Sequence, residues 1–561
     1  MSGRHRPSRG RATAPLAVLS AASILIIAGF VVKTVTADAG GCGSSNGIRL
    51  TVATDPAVAP AITEIAQQWM HTDPEVNGNC ISVDVLPRHS ADIANSLGTY
   101  SGGSVDVAAT PAPTPSDADL PTVWIPDSTA WLGRVRAINR DAFDSETPSV
   151  ALSPVVVAMP EAIARALPQS MLQGGLSAQA VASLLAEGKV KLGMTEPRRD
   201  TASLVGAMLL RDVVVTSEAK LPELVGTYRK GVQGPLADTA AVFDAFAKGL
   251  GAAPMSEQAI IAHNAGNPAV PVAALPLAVS PTLDYPFATL AGRSRELQMA
   301  AAKLRAALIA PDAVGPLARR GFRTPAGDAG PGFMVGHGVT TATAHVQPVI
   351  DMTKITGTLG VWVAAKTSSR IYALVDATSS MNRTMSAGGH TDVRIDVLRK
   401  TATYGLGLFT NESQMALWAF AGRGPRELVT MGKLGADQRA DLKAAVDAAE
   451  PASTDVCPLF ESLVAAYKAM KDGYDASLSN TIVVFTDGKS SVPSGLTMET
   501  VRRQLENLTD ITKPIRVILL GIGPDADLGQ LEELAKITGG AAFRVSDPTQ
   551  LNAIFLKALL T

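Results

Sequence analysis

Asp376, Thr378 and Ser380 stand at alternate positions directly after the apolar run Ile371–Val375. One acid and two hydroxyls in so short a span aim three hard oxygens at one point. That is the donor type a divalent cation such as Mg²⁺ prefers, in near-octahedral geometry and with several waters kept. A site built this way leaves a coordination position open, which a carboxylate offered by another molecule would fill. A second apolar run, Asn480–Phe485, leads into Thr486, Asp487 and Gly488, an acid at a glycine turn. Between the two lies Cys457-Pro-Leu459-Phe-Glu-Ser-Leu463, a helix start preceded by Ser453 and Thr454.

Such side chains need rigid elements beneath them. Strand-like runs at Ile371–Val375, Met415–Phe420, Thr481–Phe485 and Ile515–Leu520 alternate with helical segments, the first of which carries Val393, Val397 and Leu398 on one side. This alternation predicts a parallel sheet with helices on both faces. In such sheets ligands bind at the carboxyl ends of the strands, where Asp376 and Asp487 both fall. Helices over Leu528–Thr538 and Thr549–Leu560 are expected to close the domain.

Residues 366–561 resemble a von Willebrand factor A (VWFA) domain, whose metal-ion-dependent adhesion site (MIDAS) carries the pattern Asp-x-Ser-x-Ser. The resemblance implies a doubly wound, Rossmann-like α/β fold, a Mg²⁺ (or Mn²⁺ or Ca²⁺) cofactor, and a protein partner presenting a carboxylate. Carried onto this chain, the metal residues are Asp376, Thr378, Ser380 and Asp487, with Thr378 keeping the oxygen of the family's serine. In the simplest register Cys457 occupies the family's remaining position, a threonine, and a thiol is a poor Mg²⁺ ligand. Either Thr454 or Ser453 takes over, or fewer protein groups hold the metal.

The chain opens with Arg4, Arg6, Arg9 and Arg11, followed by an uncharged apolar run from Pro15 to Val32. Its length suits a membrane-spanning helix, and the preceding basic residues orient the bulk of the chain outside the cytoplasm. The expected organisation is a basic tail over 1–13, a transmembrane signal anchor over 14–35, and a single-pass cell-membrane protein with an extracytoplasmic body. Cleavage of a signal peptide at Ala37-Asp-Ala39 is the competing reading. Cys42 and Cys80 flank the first strand–helix unit and are expected to pair, a cross-link worth roughly 3–4 kcal/mol in the chain-entropy model. Cys457 is then unpaired.

Residues 47–345 are too many for a linker and alternate strand with helix again, with strands expected at Ile48–Thr54, Ile81–Leu86, Val105–Ala108 and Val123–Ile125 and a helix at Ala61–Met70. Leu50-Thr-Val-Ala-Thr54-Asp55-Pro56, Val123-Trp124-Ile-Pro126-Asp127-Ser128, Gly193-Met-Thr195-Glu-Pro197, Thr282-Leu-Asp284-Tyr285-Pro286 and Gly321-Phe322-Arg323-Thr-Pro325, in that order, resemble bacterial extracellular solute-binding proteins. That resemblance implies a two-lobed α/β domain closing on a small solute. Thr54, Ser128 and Thr201 fall at or near candidate helix N-termini, which favour anionic or carboxylate-bearing ligands, although the ordinary N-cap is the simpler reading of each. Asp284 and Tyr285 either line the cleft or shape a turn. Residues 346–365, short of apolar periodicity, read as a linker.

The chain has 49 basic and 51 acidic residues and a formal charge of −2, with no basic stripe interleaved with aromatics, so nucleic acid is not an expected partner. Catalytic patterns fail one by one. Gly488-Lys489-Ser490 lacks the upstream glycine of a phosphate loop, which is Val483 here. Ser217-Glu-Ala-Lys220 has neither the Ser-Asp-Asn nor the Lys-Thr-Gly partner. The seven histidines show no zinc spacing. The expectation is a recognition protein and not an enzyme, with a solute receptor of an importer as the alternative.

Overall fold

The structure is a computed structural model. It describes residues 47–107, 114–217, 220–387, 390–487, 490–493, 495–510, 512–547, 554, 555 and 558. The expected membrane segment 14–35, the basic tail and Cys42 lie outside the described residues, as does most of the expected helix Thr549–Leu560. Among the described residues no helix is long and apolar enough to cross a membrane.

The C-terminal half is built on a six-stranded sheet, in the order Gly424–Lys433, Gln414–Ala421, Ser369–Asp376, Ser479–Thr486, Ile515–Ile522, Ala541–Val545. Every neighbouring pair is parallel except Gln414–Ala421 with the edge strand Gly424–Lys433. The period of two divides each strand between two cores. Ile371, Ala373 and Val375 face the helices Arg394–Leu408 and Ala436–Asp447. Tyr372 and Leu374 face Leu459–Asp472, Met498–Leu508 and Leu528–Ile537. Burial on both faces explains why these strands read as unbroken apolar runs.

The N-terminal half has two principal sheets. In the first, Ile48–Thr54 lies parallel to both Asn79–Pro87 and Val123–Ile125, with Ala288–Thr289 and Glu75–Val76 at the edges. In the second, Ser153–Pro160 is the hub, antiparallel to Ala253–Ser256, Val272–Pro276 and Thr282–Leu283. The segment Val105–Val107, expected as a strand, is not one; its two valines are buried beneath the helix Ser90–Tyr100.

The segment read as a linker also differs. Met352–Lys366 is a helix with Ile355, Leu359, Val361, Trp362, Ala364 and Ala365 buried. It packs against Leu221–Gly231 and Thr201–Val214 of the N-terminal half and leads directly into Ser369–Asp376. Trp362 is fully buried with its ring edge-on to Tyr228 at 5.6 Å. The Arg229 guanidinium donates to the carbonyls of Ala364 at 3.1 Å and Leu408 at 2.6 Å, and Lys366 Nζ donates to the Val232 carbonyl at 2.6 Å. One apolar cluster thus contains Leu224 and Tyr228 from one half with Ile395 and Leu408 from the other.

Candidate functional site

Asp376 is the last residue of a central strand and is fully buried, and its carboxylate meets residues at the sheet's carboxyl edge. Its Oδ1 accepts from the Thr378 hydroxyl at 2.6 Å and the Thr378 amide at 2.9 Å; Oδ2 accepts from the Thr486 hydroxyl at 2.8 Å. The Thr378 and Ser380 hydroxyl oxygens are 2.8 Å apart. Burial pushes the Asp376 carboxyl above the usual carboxylate range, while the Thr378 and Thr486 donors pull it down. The alternating acid and hydroxyls therefore converge as their spacing suggested. Asp376, Thr378 and Ser380 fit a hard divalent cation by donor type.

The remaining family positions depart from that chemistry. Cys457, free and buried, points its Sγ at Asp376 Oδ2 from 3.5 Å. Burial, followed by the Asp376 and Asp487 charges, pushes the thiol far up, so the sulfur keeps its proton. Thr454 approaches through its backbone: its carbonyl accepts from the Ser379 amide at 2.8 Å, while its hydroxyl accepts from the Val456 amide at 3.2 Å within its own loop. Ser453 is exposed. Asp487 is buried beside the Arg394 guanidinium, 3.4 Å from Oδ2 to Nη1, and Arg394 also pairs with Asp525. Arg394 stands at the start of a helix whose carbon-rich face is core, and no motif marks it. Among the described residues no group of three or more His, Cys, Asp or Glu is placed to hold a metal, so any cation here depends on the hydroxyls.

The N-terminal half encloses a second feature, a cavity of about 560 Å³ between its two sheets. Phe243 and His263 line one side; the other wall carries Asp55, Ser90 and Asp127, at the carboxyl ends of parallel strands, with Asp200 and Ser203 from the start of an adjoining helix. Thr54, Ser128 and Thr201 are each one residue away from that wall, and the acids next to them form it. Thr201 Oγ1 donates to Asp127 Oδ1 at 3.0 Å and accepts from Trp131 Nε1 at 3.0 Å. Ser128 is an N-cap, its hydroxyl accepting from the Ala130 amide at 3.2 Å. Thr54 is fully buried, with an unpartnered hydroxyl. Asp284 does not line the cavity; it accepts from the Thr129 amide at 2.7 Å, capping the helix Thr129–Arg136. Tyr285 does line it.

Burial raises all three wall carboxyls. Asp55 reaches about 6, opposed by the Ala57 amide. Asp127 is pushed well above the usual range by burial and then by the charges of Asp55 and Asp200. Asp200 is raised by burial against the opposing Ser203 amide.

Comparison with known proteins matches each half separately. Residues 50–323 match the family model of bacterial extracellular solute-binding proteins, and residues 371–557 match that of the von Willebrand factor type A domain. An uncharacterized protein of Mycobacterium tuberculosis (strain H37Rv) is 24% identical over 591 residues, covering 96% of this chain and 81% of its own. Among solved structures, the sulfate-binding protein SubI from M. tuberculosis H37Rv is 16% identical, covers 49% of this chain and 87% of its own, and has a TM-score of 0.35. A von Willebrand factor type A protein from Catenulispora acidiphila is 17% identical with a TM-score of 0.29, covering 35% of this chain and 42% of that one. The chain thus joins a bacterial extracellular solute-binding domain, over residues 50–323, to a von Willebrand factor type A domain, over residues 371–557.

Proposed function

We propose that this chain is a membrane-anchored extracytoplasmic recognition protein, a binder and not an enzyme, whose VWFA domain engages a protein partner through a divalent cation. The observation carrying the reading is the convergence of Asp376, Thr378 and Ser380 at the sheet's carboxyl edge. A bound Mg²⁺, Mn²⁺ or Ca²⁺ would supply an open coordination position for a carboxylate of the partner. Asp376 holds Thr378 in place and Thr378 in turn meets Ser380, the two hydroxyls present oxygens, and Asp487 adds negative charge that Arg394 partly offsets. Anchoring would come from the apolar segment 14–35. A Cys42–Cys80 disulfide belongs to the same exported setting; peptide mapping without reduction tests the pair, and an N-terminus at Gly40 or Cys42 by mass spectrometry would refute the anchor.

The test uses the full chain. Mg²⁺ or Mn²⁺ at millimolar concentration is expected to raise the melting temperature, since a ligand that binds only the folded state stabilises it. Ser380→Ala, at a half-buried position, should abolish that response while leaving the metal-free melting temperature within a few degrees. No calorimetric response of the wild-type chain to either ion would end the metal reading.

A second reading, a solute receptor for an importer with the VWFA domain as scaffold, is favoured by the cavity of about 560 Å³, which lies in the size range of small-molecule sites.

A further inference from the structure

Solute sites for anions expose free backbone amides at helix N-termini. Here carboxylates and a hydroxyl of the chain itself already occupy amides at several of those starts, and among the helices that reach the cavity Ser90–Tyr100 begins without a side-chain cap. Asp55 accepts from the Ala57 amide at 3.0 Å, ahead of the helix Ala59–Met70. Asp200 accepts from the Ser203 amide at 2.6 Å at the start of Thr201–Val214. On the opposite side, Asp238 and Ser256 cap the helices Thr239–Ala247 and Glu257–Ala265. An oxyanion entering the cavity would meet carboxylates where it needs donors.

The charge on the wall has the same sense. Asp55, Asp127 and Asp200 stand against one guanidinium, Arg199, and that group is engaged by Asp92 at 2.5 Å and by the Val107 carbonyl at 3.3 Å. Tyr285, 1% exposed and held at a positive φ of 38°, lines the cavity beside these acids, and its phenol makes no side-chain hydrogen bond among the described residues. A non-glycine residue kept in that left-handed conformation is strained, and here it holds a hydroxyl without a protein partner at the cavity. Across from it Phe243 and His263 stack with ring centroids 3.8 Å apart and planes 1° from parallel, giving an aromatic wall. A carboxylate floor, an idle phenol and an aromatic side together match a positively charged organic group better than a bare metal ion, because π-faces attract ammonium and guanidinium groups.

We propose that the cavity binds a small organic cation, an amine or guanidine, with Asp55, Asp127 and Asp200 balancing its charge, Tyr285 accepting a hydrogen bond from it, and Phe243 flanking its carbon body. This rests on reading the cavity as a solute site.

The experiment is a thermal-shift and calorimetric screen of the full chain with four cations (putrescine, spermidine, choline and arginine methyl ester), two oxyanions (sulfate and phosphate) and neutral glucose. At least one cation is expected to bind, with affinity falling as salt is raised. Asp127→Asn should weaken it tenfold or more. Tyr285→Phe, which removes only the idle oxygen, should weaken it several-fold without a loss of folding. Cation binding that both variants leave unchanged would place the ligand elsewhere and overturn the proposal. If sulfate, phosphate or glucose binds and no cation does, the cavity remains a solute site and the cationic class is wrong. If no probe of any class binds, both the class and the solute reading fall.

Discussion

Cys457 is the residue at which this chain departs most sharply from the adhesion-site pattern, and replacing it measures the site directly. The protonated sulfur lies 3.5 Å from Asp376 Oδ2, so it faces the same point as Thr378 and Ser380. A thiol is a weak donor to a carboxylate and a poor ligand for a hard cation, whereas a hydroxyl bonded to a charged group contributes about 1.5–3 kcal/mol. If half or more of that gain is realised in the metal-bound state, Cys457→Thr should tighten Mg²⁺ and Mn²⁺ binding about tenfold, equivalent to about 1.4 kcal/mol. Softer ions should respond in the opposite sense. Zn²⁺ gains from sulfur once its proton leaves, so wild-type Zn²⁺ affinity should rise with pH, and Cys457→Ser should remove both the affinity and the pH slope. Titration calorimetry of the full chain with Mg²⁺ and Zn²⁺ at two pH values reads all of this. Unchanged affinities for both ions in both variants would show that residue 457 does not face a cation, and would leave Asp376, Thr378 and Ser380 as the whole of any metal loop.

Two further outcomes follow from packing and charge. Trp362 is fully buried between the two halves, and truncating such a residue typically costs about 3–5 kcal/mol, so Trp362→Ala should lower the denaturation midpoint of both halves together; two well-separated unfolding steps in the wild-type chain would refute the shared core. Asp55 is raised from 3.8 to about 6 in the folded chain. Its contribution to stability is therefore fully present below the unfolded value and is lost as pH rises through about 6. The groups facing it are Asp127, Asp200, Tyr285, His89 and, farther round the wall, Arg199 and His263. A shift of two units is worth about 2.7 kcal/mol, trimmed here to about 1–2 because Asp55 is only half-buried and the cavity admits water. Asp55→Asn should accordingly stabilise the ligand-free chain at neutral pH and flatten its stability between pH 4 and 6; an unchanged urea midpoint at pH 7 would contradict the assignment.

What could be read from the sequence, and what could not, divides along burial. The central strands announced themselves because both faces are covered, so Ile371–Val375 is apolar at every step and Ile515–Leu520 at every step but Arg516. The edge strand Gly424–Lys433 did not, since none of its residues is fully buried and it opens with Gly-Pro. Met352–Lys366 was hidden for the opposite reason. A helix enclosed on most sides needs no polar stripe, so its buried Thr358, Gly360 and Trp362 show no 3.6-residue rhythm and resemble a connector.

The sites divide in a similar way, by the sequence distance over which each is assembled. The loop Asp376–Ser380 is local, with its acid and hydroxyls within five residues, so residue type and spacing sufficed to place Asp376, Thr378 and Ser380 together. Its partner Arg394 arrives from a helix that no motif marks, and only the tertiary structure sets it against Asp487 and Asp525. The cavity is the far extreme, since Asp55 and Asp127 come from two strand ends and Asp200 from a helix start far along the chain. Sequence reasoning reached the neighbours of all three because it looked for hydroxyl caps at helix starts, where Thr54, Ser128 and Thr201 stand. The dipeptides Asp127-Ser128 and Asp200-Thr201 held the further signal, an acid beside a hydroxyl at a helix start, and Thr54-Asp55 sets the same pair just ahead of one. At Asp200 the acid takes the amide, at Ser128 the hydroxyl does, and in both cases a carboxylate is left on the wall. Helix starts that a chain fills with its own negative charge are poor places for an anion, and in this cavity that local competition reverses the sign of the ligand the fold would otherwise invite.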